Sequence, residues 1–369
     1  MFKLVSLRES ISFSKEKHVT IDAFPAIKDV ILSRNSFILV GHNWGDCDSF
    51  GSLFALAFLL RGLGKKVLIL SNQDIPKSVL FLLDPYGEIE IIKVSDTSDG
   101  TDAVIFVDIP HPSEIDSGFN KKHFSQTTAF IEFDHHVGPG NIRLFKNSFV
   151  AYDNVSSTAE LIFYFLRQYS FEISHKTALS LALGLVSDTN NLNFMTTSRT
   201  LNMRDVLRNI LHVTFNEIFE EISILDSAEY QLLLHLKKTL IHDGSIGCIV
   251  LKEPTIKTFL GNRTLSLQAF STMVHLLGYQ VDGIEVIVYF YELSPNKYKV
   301  GFRKYPKYSG SRINDHIDLR ILADQFRGGG HIGAAGFTLE LKGNETLEDK
   351  IAGILTMVKQ FISLLPIST

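Results

Sequence analysis

Cysteine is scarce in this sequence: 369 residues contain only Cys47 and Cys248. Two thiols cannot build a disulfide framework, so a small disulfide-rich secreted protein is excluded and a reducing compartment is expected. Long apolar runs are also missing, since the longest near the start, residues 53–60, ends at Arg61. A helix needs about 20 apolar residues to cross a bilayer, so we expect no transmembrane segment and no membrane partner.

The sequence also lacks a signal-peptide pattern and an excess of positive charge. Lys3, Arg8 and Glu9 interrupt any apolar stretch at the start, and we therefore expect a cytoplasmic protein. The 36 Lys and Arg residues are outnumbered by 40 Asp and Glu, which gives a formal charge of −4. A general binder of duplex DNA needs a strongly basic face, so that class is disfavoured.

The remaining composition, with 45% hydrophobic and 21% charged residues, is that of a globular protein and excludes a disordered chain. From residue 37, short apolar runs alternate with helical patterns, as in a parallel sheet covered by helices. Strands are predicted at residues 37–41, 66–70, 89–92, 103–107 and 129–133, and helices at 49–61 and 158–168. Ser157 and Glu160 predict a capping box at the second helix.

The pattern changes after Asn193. Residues 200–238 contain no Gly or Pro, which predicts connecting helices. Strands of a second sheet are predicted at residues 246–251, 281–291 and 298–303, and a loop at residues 328–330. The length favours two domains, and the fold class is α/β. We predict a parallel-sheet domain over residues 1–200, a helical connector over 201–240 and a smaller α/β domain over 241–369, with a cleft between the domains.

Acidic and histidine side chains follow four apolar runs of the first domain, all of which we predict as strands. In an open α/β sheet the carboxyl ends of the strands face one crevice, so such groups converge there. They are His42, Asp46 and Asp48 after the first strand, Asp108 after residues 103–107, Asp134, His135 and His136 after residues 129–133, and Asp188 after residues 183–187. A single Asp of this kind is more often a helix cap or turn former, so the prediction depends on the whole set.

Carboxylates and imidazoles crowded into one crevice repel one another unless cations neutralise them. Mixed oxygen and nitrogen ligands suit Mn²⁺ or a similar ion. Two ions about 3.5 to 4 Å apart can clamp both the entering and the leaving oxygen of a phosphoryl displacement. The set therefore predicts a two-metal site that hydrolyses a phosphate ester.

The ordered set of motifs resembles the DHH phosphoesterase family over residues 37–195. The matching residues are His42, Asp46, Asp48, Gly51, Ser52, Asp108, the triplet at 134–136, the Ser-Thr-Ala-Glu-Leu string at 157–161, Asp188 and Thr189. The resemblance implies two Mn²⁺ ions, one held by His42, Asp46 and Asp108. It implies that the other is held by Asp48, Asp108, His135 and Asp188. It also implies that His136 donates to the phosphate and that Asp134 orients a metal ligand.

The sequence departs from the usual family pattern at a few positions, while the metal ligands are intact. Gly45 and Cys47 stand where Pro and Gly are usual, Glu114 stands where an Arg is frequent, and Asn190 replaces a Gly. Loss of the Arg affects substrate recognition rather than the chemistry. We predict a buried, inert Cys47 thiol, with a soft metal ligand or an oxidation switch as alternatives.

The second domain carries a basic stretch and a glycine string. The basic residues are Lys297, Lys299, Arg303, Lys304, Lys307 and Arg312, interleaved with Tyr298, Phe302, Tyr305 and Tyr308. Cations that meet phosphates and rings that stack on bases would explain this pattern; a hairpin with its aromatics packed inward explains it equally well. Residues 328–337, with three glycines before His331, resemble the signature of the DHH-associated C-terminal domain. That resemblance implies that Arg303, Gly328, Gly329, Gly330 and His331 hold the terminal nucleotide.

Together these features predict a manganese-dependent phosphodiesterase of the nano-RNase and pAp-phosphatase branch. Its substrates would be dinucleotides and short single-stranded oligonucleotides, cleaved to 5′-mononucleotides, with pAp as a further substrate. One alternative is an enzyme that cleaves cyclic or linear di-AMP, and another is a noncatalytic nucleotide-binding regulator. The oligomeric state, including a homodimer, is left open by the sequence.

Overall fold

The computed structural model describes residues 21–43, 45–71, 75, 79, 90–92, 100–109, 112–115, 119, 124–136, 144, 148–152, 155–281, 283–305 and 317–364. The chain divides into two compact units, and the division falls between Ile224 and Leu225. Both units combine helices with a sheet, as the predicted α/β class requires. None of the helices in the described part of the chain combines the length and the hydropathy that crossing a bilayer requires.

The first unit is built on a six-stranded sheet in the order β3-β2-β1-β4-β5-β6. Its strands are β1 Ser36–Val40, β2 Lys66–Leu70, β3 Glu90–Ile92, β4 Ala103–Val107, β5 Ala129–Asp134 and β6 Phe149–Tyr152. Every neighbouring pair is parallel. The strands predicted at residues 37–41, 66–70, 89–92, 103–107 and 129–133 correspond to β1 to β5, although Gly41 follows β1 and residue 89 lies outside the described residues. Parallel pairing places the carboxyl ends of β1, β4 and β5 side by side at one edge.

Six α-helices accompany this sheet within the described residues. They are α1 Phe24–Ser33, α2 Cys47–Gly62, α3 Thr158–Gln168, α4 His175–Asp188, α5 Ser198–Leu211 and α6 Phe215–Ile222. Helix α2 is buried over nearly its whole length and packs closely on α4. A Cβ atom on Gly51 would lie 2.5 Å from the Ser180 carbonyl oxygen, so only glycine permits this approach.

One strand prediction is wrong. Residues 183–187 lie in α4, which begins after the N-cap Ser174 and buries most of its length. A continuous apolar run has no period that separates a buried strand from a helix buried on all sides. The predicted capping box is formed only in part. Ser157 caps α3 by accepting from the Glu160 N–H, but the Glu160 carboxylate accepts from Ser156 and Thr200.

The second unit has a sheet in the order β11-β12-β10-β9-β8-β7. Its strands are β7 Ile241–Asp243, β8 Ile246–Leu251, β9 Val286–Ser294, β10 Lys297–Lys304, β11 Gly329–His331 and β12 Ala334–Glu340. Only the β8–β9 pair is parallel. Its helices are α7 Ser227–Thr239, α8 Glu253–Leu260, α9 Leu267–Gln280, α10 Leu319–Asp324 and α11 Leu347–Ser363. The helices predicted over residues 200–238 are confirmed as α5, α6 and α7.

Two details of the second sheet differ from the sequence prediction. Strand β9 begins at Val286, because α9 continues to Gln280 and Val281 is its C-cap. The glycines at 328–330 do not form a simple loop, since Gly329 begins β11 and pairs with Gly336 of β12. An edge strand tolerates glycine because only one side of it must complete a hydrogen-bond ladder.

Candidate metal centre

The carboxyl ends of three adjacent strands carry the first group of predicted ligands. His42 follows β1, Asp108 follows β4, and the segment 134–136 begins at the end of β5. Strands β1, β4 and β5 are consecutive neighbours in the sheet. The residues therefore meet at one edge although up to 94 positions separate them in the sequence.

Asp46 and Asp48 lie at the first turn of α2. Asp46 is the N-cap, and one of its carboxylate oxygens accepts from the N–H groups of Asp48 and Ser49 at 3.0 and 3.1 Å. Such a cap satisfies backbone donors that the helix leaves open. The cap also fixes the direction in which the following Asp48 side chain leaves the helix.

Asp48 is fully buried and is held by the start of α3. Its two oxygens accept from the N–H groups of Thr158 and Ala159 at 2.7 and 3.0 Å. A helix N-terminus carries partial positive charge and unpaired N–H donors, so it stabilises a carboxylate placed there. The buried carboxylate is thus fixed from two helices, α2 and α3.

Thr158 contacts a second predicted ligand as well. Its hydroxyl donates to Asp108 Oδ1 at 2.8 Å, so one residue orients two carboxylates from different segments. The string around Thr158 contributed to the resemblance, but no role was predicted for the residue. The signal available in the sequence was its place directly after the N-cap Ser157, where backbone N–H groups point out of the helix.

His135 lies among three of the carboxylates. Its Nε2 atom is 3.1 Å from Asp188 Oδ2, 3.5 Å from Asp108 Oδ1 and 3.7 Å from Asp48 Oδ2. Its Nδ1 lies 3.3 Å from the Val155 carbonyl oxygen. An imidazole whose Nδ1 is held by a backbone carbonyl presents Nε2 to its ligand side.

Asp108 faces two sets of residues at once. Its Oδ2 lies 3.8 Å from His42 Nε2, whereas its Oδ1 lies on the side of His135. Ligand atoms of His42, Asp46 and Asp108 lie within 4.8 Å of one another, and so do those of Asp48, His135 and Asp188. All six predicted metal ligands are therefore brought together in two groups of three. Asp108 belongs to the first group and also lies beside His135 of the second.

Burial and mutual repulsion dominate the electrostatics of the carboxylates. Burial, together with the charges of Asp108 and Asp188, raises the pKa of Asp48 well above its usual value. Burial likewise raises the pKa of Asp108 to about 6, against the opposing effect of His136. Bound cations would stabilise carboxylates this crowded. They would neutralise negative charges whose mutual repulsion is poorly screened, because the site is buried from water.

His136 and Asp134 form a close pair beside this cluster. His136 Nδ1 donates to Asp134 Oδ1 at 2.7 Å and lies 3.6 Å from Asp108 Oδ1. Burial acts to lower the pKa of His136, but the Asp134 charge and hydrogen bond outweigh it and raise that pKa to about 9. Burial also acts to raise the pKa of Asp134, yet the His136 charge produces a net decrease. Asp134 thus orients the His136 ring and favours its protonated form.

The donor set fits two divalent cations of the manganese type. Each group of three mixes carboxylate oxygen with imidazole nitrogen, which suits Mn²⁺ and related ions. Asp46, Asp48 and Asp108 already accept hydrogen bonds from N–H or hydroxyl groups that orient them, an arrangement found around metal ligands. We infer that His42, Asp46 and Asp108 would hold one ion, and Asp48, Asp108, His135 and Asp188 the other.

The second unit places Arg303 and His331, two of the predicted substrate residues, on one face of its sheet. Arg303 of β10 is opposite Ala334, and Ala334 is opposite His331 of β11. Directly opposed residues of antiparallel strands point to the same face, so Arg303 and His331 share a face two strand spacings, roughly 10 Å, apart. In the adjacent row Gly329, Gly336 and Gly301 stand opposite one another. The remaining predicted residues, Gly328 and Gly330, flank Gly329 in the chain.

The aromatic residues of the basic stretch do not support base stacking. Tyr298, Phe302 and Tyr305 are at most 5% exposed and pack inside the second unit. The inward-packed hairpin is therefore the correct alternative for these three rings, because alternation along β10 directs Tyr298 and Phe302 to the core. Lys307, Tyr308 and Arg312 lie outside the described residues.

The departures from the family pattern leave the ligand geometry intact. Cys47 is fully buried between Asp46 and Asp48, as predicted for a buried thiol. The Glu114 carbonyl oxygen accepts from the Asn43 N–H next to His42. Asn190 adopts a left-handed backbone conformation with φ 47°, which Asn tolerates better than most residues.

The family relationship agrees with this geometry. Residues 36–185 match the DHH family, N-terminal domain, and residues 268–364 match the DHHA1 domain. The chain belongs to the DHH family of phosphoesterases and carries both domains. The crystal structure of an exopolyphosphatase-related protein from Bacteroides fragilis shares the fold, with a TM-score of 0.69 and 15% identity over 95% of this chain and 99% of that one.

Sequence relatives among curated proteins are distant. A membrane protein-large ribosomal subunit bL9 fusion protein of Onion yellows phytoplasma (strain OY-M) is 21% identical over 94% of this chain. The present chain spans 40% of the length of that relative. An uncharacterised protein of Mycoplasma genitalium is 23% identical over 84% of this chain and 88% of its own length.

Proposed function

We propose that this protein is a two-metal phosphoesterase that hydrolyses dinucleotides and short single-stranded oligonucleotides to 5′-mononucleotides, with Mn²⁺ as the preferred ion and pAp as a further substrate. The observation that carries the proposal is the position of Asp108. Its Oδ2 faces His42 and its Oδ1 faces His135, as a carboxylate shared by two ions requires. Two bound divalent cations would polarise the phosphoryl group and stabilise the negative charge that develops on it.

The His136–Asp134 pair supports a role at the phosphate. Asp134 accepts a hydrogen bond from Nδ1 of His136 and so orients the imidazole ring, and the charge of Asp134 raises the pKa of His136. We expect the Nε2–H of His136 to donate to a nonbridging phosphate oxygen. Attack of water on phosphorus would break the bond to the sugar 3′-oxygen, which leaves a 5′-phosphate on the released nucleotide.

The second domain supports recognition of one terminal nucleotide. Arg303 and His331 lie on one sheet face, and an added Cβ on the nearby Gly329 would have no neighbour within 4 Å, so a phosphate can approach the backbone there. The basic stretch can follow only a few phosphates, and a chain with a formal charge of −4 is poorly suited to long polyanions. These features favour substrates of two to about five nucleotides.

The test is a substrate panel with purified protein and Mn²⁺ or Mg²⁺. The substrates are pAp, pApA (which is linear di-AMP), cyclic di-AMP, short RNA and DNA, and pyrophosphate, with products identified by chromatography. Cleavage of pApA and short RNA to 5′-mononucleotides is expected. Cleavage of cyclic di-AMP, or of pApA without cleavage of short RNA, would assign the alternative specificity of a di-AMP phosphodiesterase. Binding without cleavage would assign a regulator.

A length series at fixed salt tests the size preference. We expect kcat/KM for strands of two to five nucleotides to exceed that for strands of about twenty, a length that would need a longer binding surface. A value of kcat/KM that rises steadily up to twenty nucleotides would contradict the proposal and indicate a processive exonuclease.

A further inference from the structure

Arg303 is held against an aromatic ring within the second unit. Its guanidinium carbon lies 5.4 Å from the centre of the Tyr289 ring, within the range of a cation–π contact. Nη1 of the same guanidinium donates to the Phe302 carbonyl oxygen at 3.1 Å. The ring is 7% exposed and packs edge-on to Phe270, so it is a fixed surface rather than a mobile side chain.

The strand register explains why the ring reaches Arg303. Tyr289 of β9 is directly opposite Gly301 of β10, and Arg303 follows two residues later on the same face. A Cβ atom on Gly301 would lie 2.1 Å from the Tyr289 ring and 2.3 Å from its hydroxyl oxygen. The ring therefore lies flat across the strand over Gly301, and any side chain at that position would displace it.

We propose that Tyr289 is a positioning residue for substrate recognition. Its ring holds the Arg303 guanidinium in the orientation that binds the anionic end of a nucleotide, and the absence of a side chain at Gly301 leaves the space that the ring needs. This inference rests on the proposed function and adds a specificity determinant to it. A stacked guanidinium has fewer orientations to lose when it binds an anion, so the contact lowers the entropic cost of binding. It has no part in the chemistry at the metal centre.

The effect should therefore appear in KM and not in kcat. With pApA and Mn²⁺, Tyr289→Leu should raise KM about fivefold, the size of a partly desolvated cation–π contact, and change kcat less than twofold. Tyr289→Phe should recover the lost affinity because it keeps the ring. Gly301→Ala should raise KM independently, since it removes the space for the ring without altering Tyr289.

Tyr291→Leu is the matched control. Tyr291 lies on the same strand and face and also packs against Phe270. It is opposite Lys299, however, two residue pairs further from Arg303 than Tyr289 is. An equal rise in KM for Tyr291→Leu would show general damage to the domain and overturn the proposal. In the Arg303→Ala background, Tyr289→Leu should have no further effect, and a full additional loss there would show that Tyr289 acts without Arg303.

Binding of AMP by calorimetry separates this inference from the proposed function. If the wild-type protein binds AMP but cleaves none of the panel, the proposed function fails, and the same variants are compared by Kd. Equal AMP affinity of wild type and Tyr289→Leu then overturns the inference alone. A wild-type protein that neither cleaves these substrates nor binds AMP contradicts both.

Discussion

A Cβ atom on Gly184 would lie 2.5 Å from Oδ1 of Asp48. Gly184 is one helical turn before Asp188 on α4. One face of that helix therefore approaches the predicted ligand Asp48 and carries the predicted ligand Asp188. The Asp48 carboxylate cannot move aside freely, because the Thr158 and Ala159 N–H groups hold both its oxygens. Gly184 therefore leaves room both for the Asp48 carboxylate and for the packing of α4 on α3.

Gly184→Ala should lower kcat/KM at least tenfold and weaken Mn²⁺ binding, since the methyl group must displace Asp48 or shift α4. The control is Gly62→Ala at the end of α2, where an added Cβ has no neighbour within 4 Å. Alanine is a better helix former than glycine, so that variant should keep its activity and stability. Steady-state kinetics and titration with Mn²⁺ measure both effects, and equal behaviour of the two variants would contradict the assignment.

Asp108→Asn should abolish most activity and leave the fold intact. Asp108 adopts a left-handed backbone conformation with φ 61°, which Asn also tolerates, and an amide oxygen can still accept from Thr158. The neutral side chain, however, no longer attracts two cations. Near wild-type turnover with Mn²⁺ present would refute a shared carboxylate, and an unchanged thermal transition would establish that the variant is folded.

Thr158→Val should weaken metal binding and lower kcat about 10- to 100-fold, the usual cost of losing a group that orients a metal ligand. Valine keeps the shape and the backbone N–H that binds Asp48 but removes the hydroxyl bond to Asp108. Thr158→Ser restores that hydroxyl and should restore most activity. The prediction is checked by measuring Mn²⁺ affinity and kcat together; a serine variant as poor as the valine variant would point to packing instead.

Arg303→Ala and His331→Ala should separate nucleotide recognition from metal chemistry. Either substitution should lower kcat/KM for pApA, because each removes a donor proposed to bind the nucleotide. Hydrolysis of a small activated phosphodiester, which needs the metal centre but no nucleotide contact, should decrease much less. Equal losses on both substrates would contradict this division of roles between the domains.

His275 should make the stability of the second unit sensitive to acid. Its ring stacks on Tyr279 and lies edge-on to Tyr305. Burial, reinforced by the Arg303 charge, lowers its pKa to about 3 from an ordinary value of 6.5. Between about pH 6.5 and pH 3, His275 is protonated in the unfolded chain but not in the folded chain. The free energy of unfolding therefore decreases as the pH falls through this range.

His275→Phe should reduce this loss of stability on going from pH 7 to pH 4. Other groups titrate in the same range in both proteins, so the difference between the two pH profiles isolates the histidine. Thermal unfolding at several pH values makes the comparison. Parallel profiles for wild type and variant would show that His275 takes up its proton equally well in the folded state.

The sequence predicted the parallel sheet and the ligand segments because both are encoded locally. Apolar runs with turn residues after them place Asp108 and the segment 134–136 at strand ends, and the common direction of parallel strands brings those ends together. The same local reasoning failed for residues 183–187. An uninterrupted apolar run has no periodicity that distinguishes a buried strand from a helix buried on all sides. In the structure these residues belong to α4, which is buried against α2.

By itself the sequence determined which side chains are available as ligands and in what order they occur along the chain. The tertiary structure decided which groups hold those ligands in place. Thr158 contacts Asp48 across 110 positions of sequence, and Tyr289 reaches Arg303 only because the β9–β10 register sets it over Gly301. Local propensity encodes an element, whereas contacts between distant elements depend on how closely their backbones approach, and at Gly184 and Gly301 the absence of a side chain permits that approach.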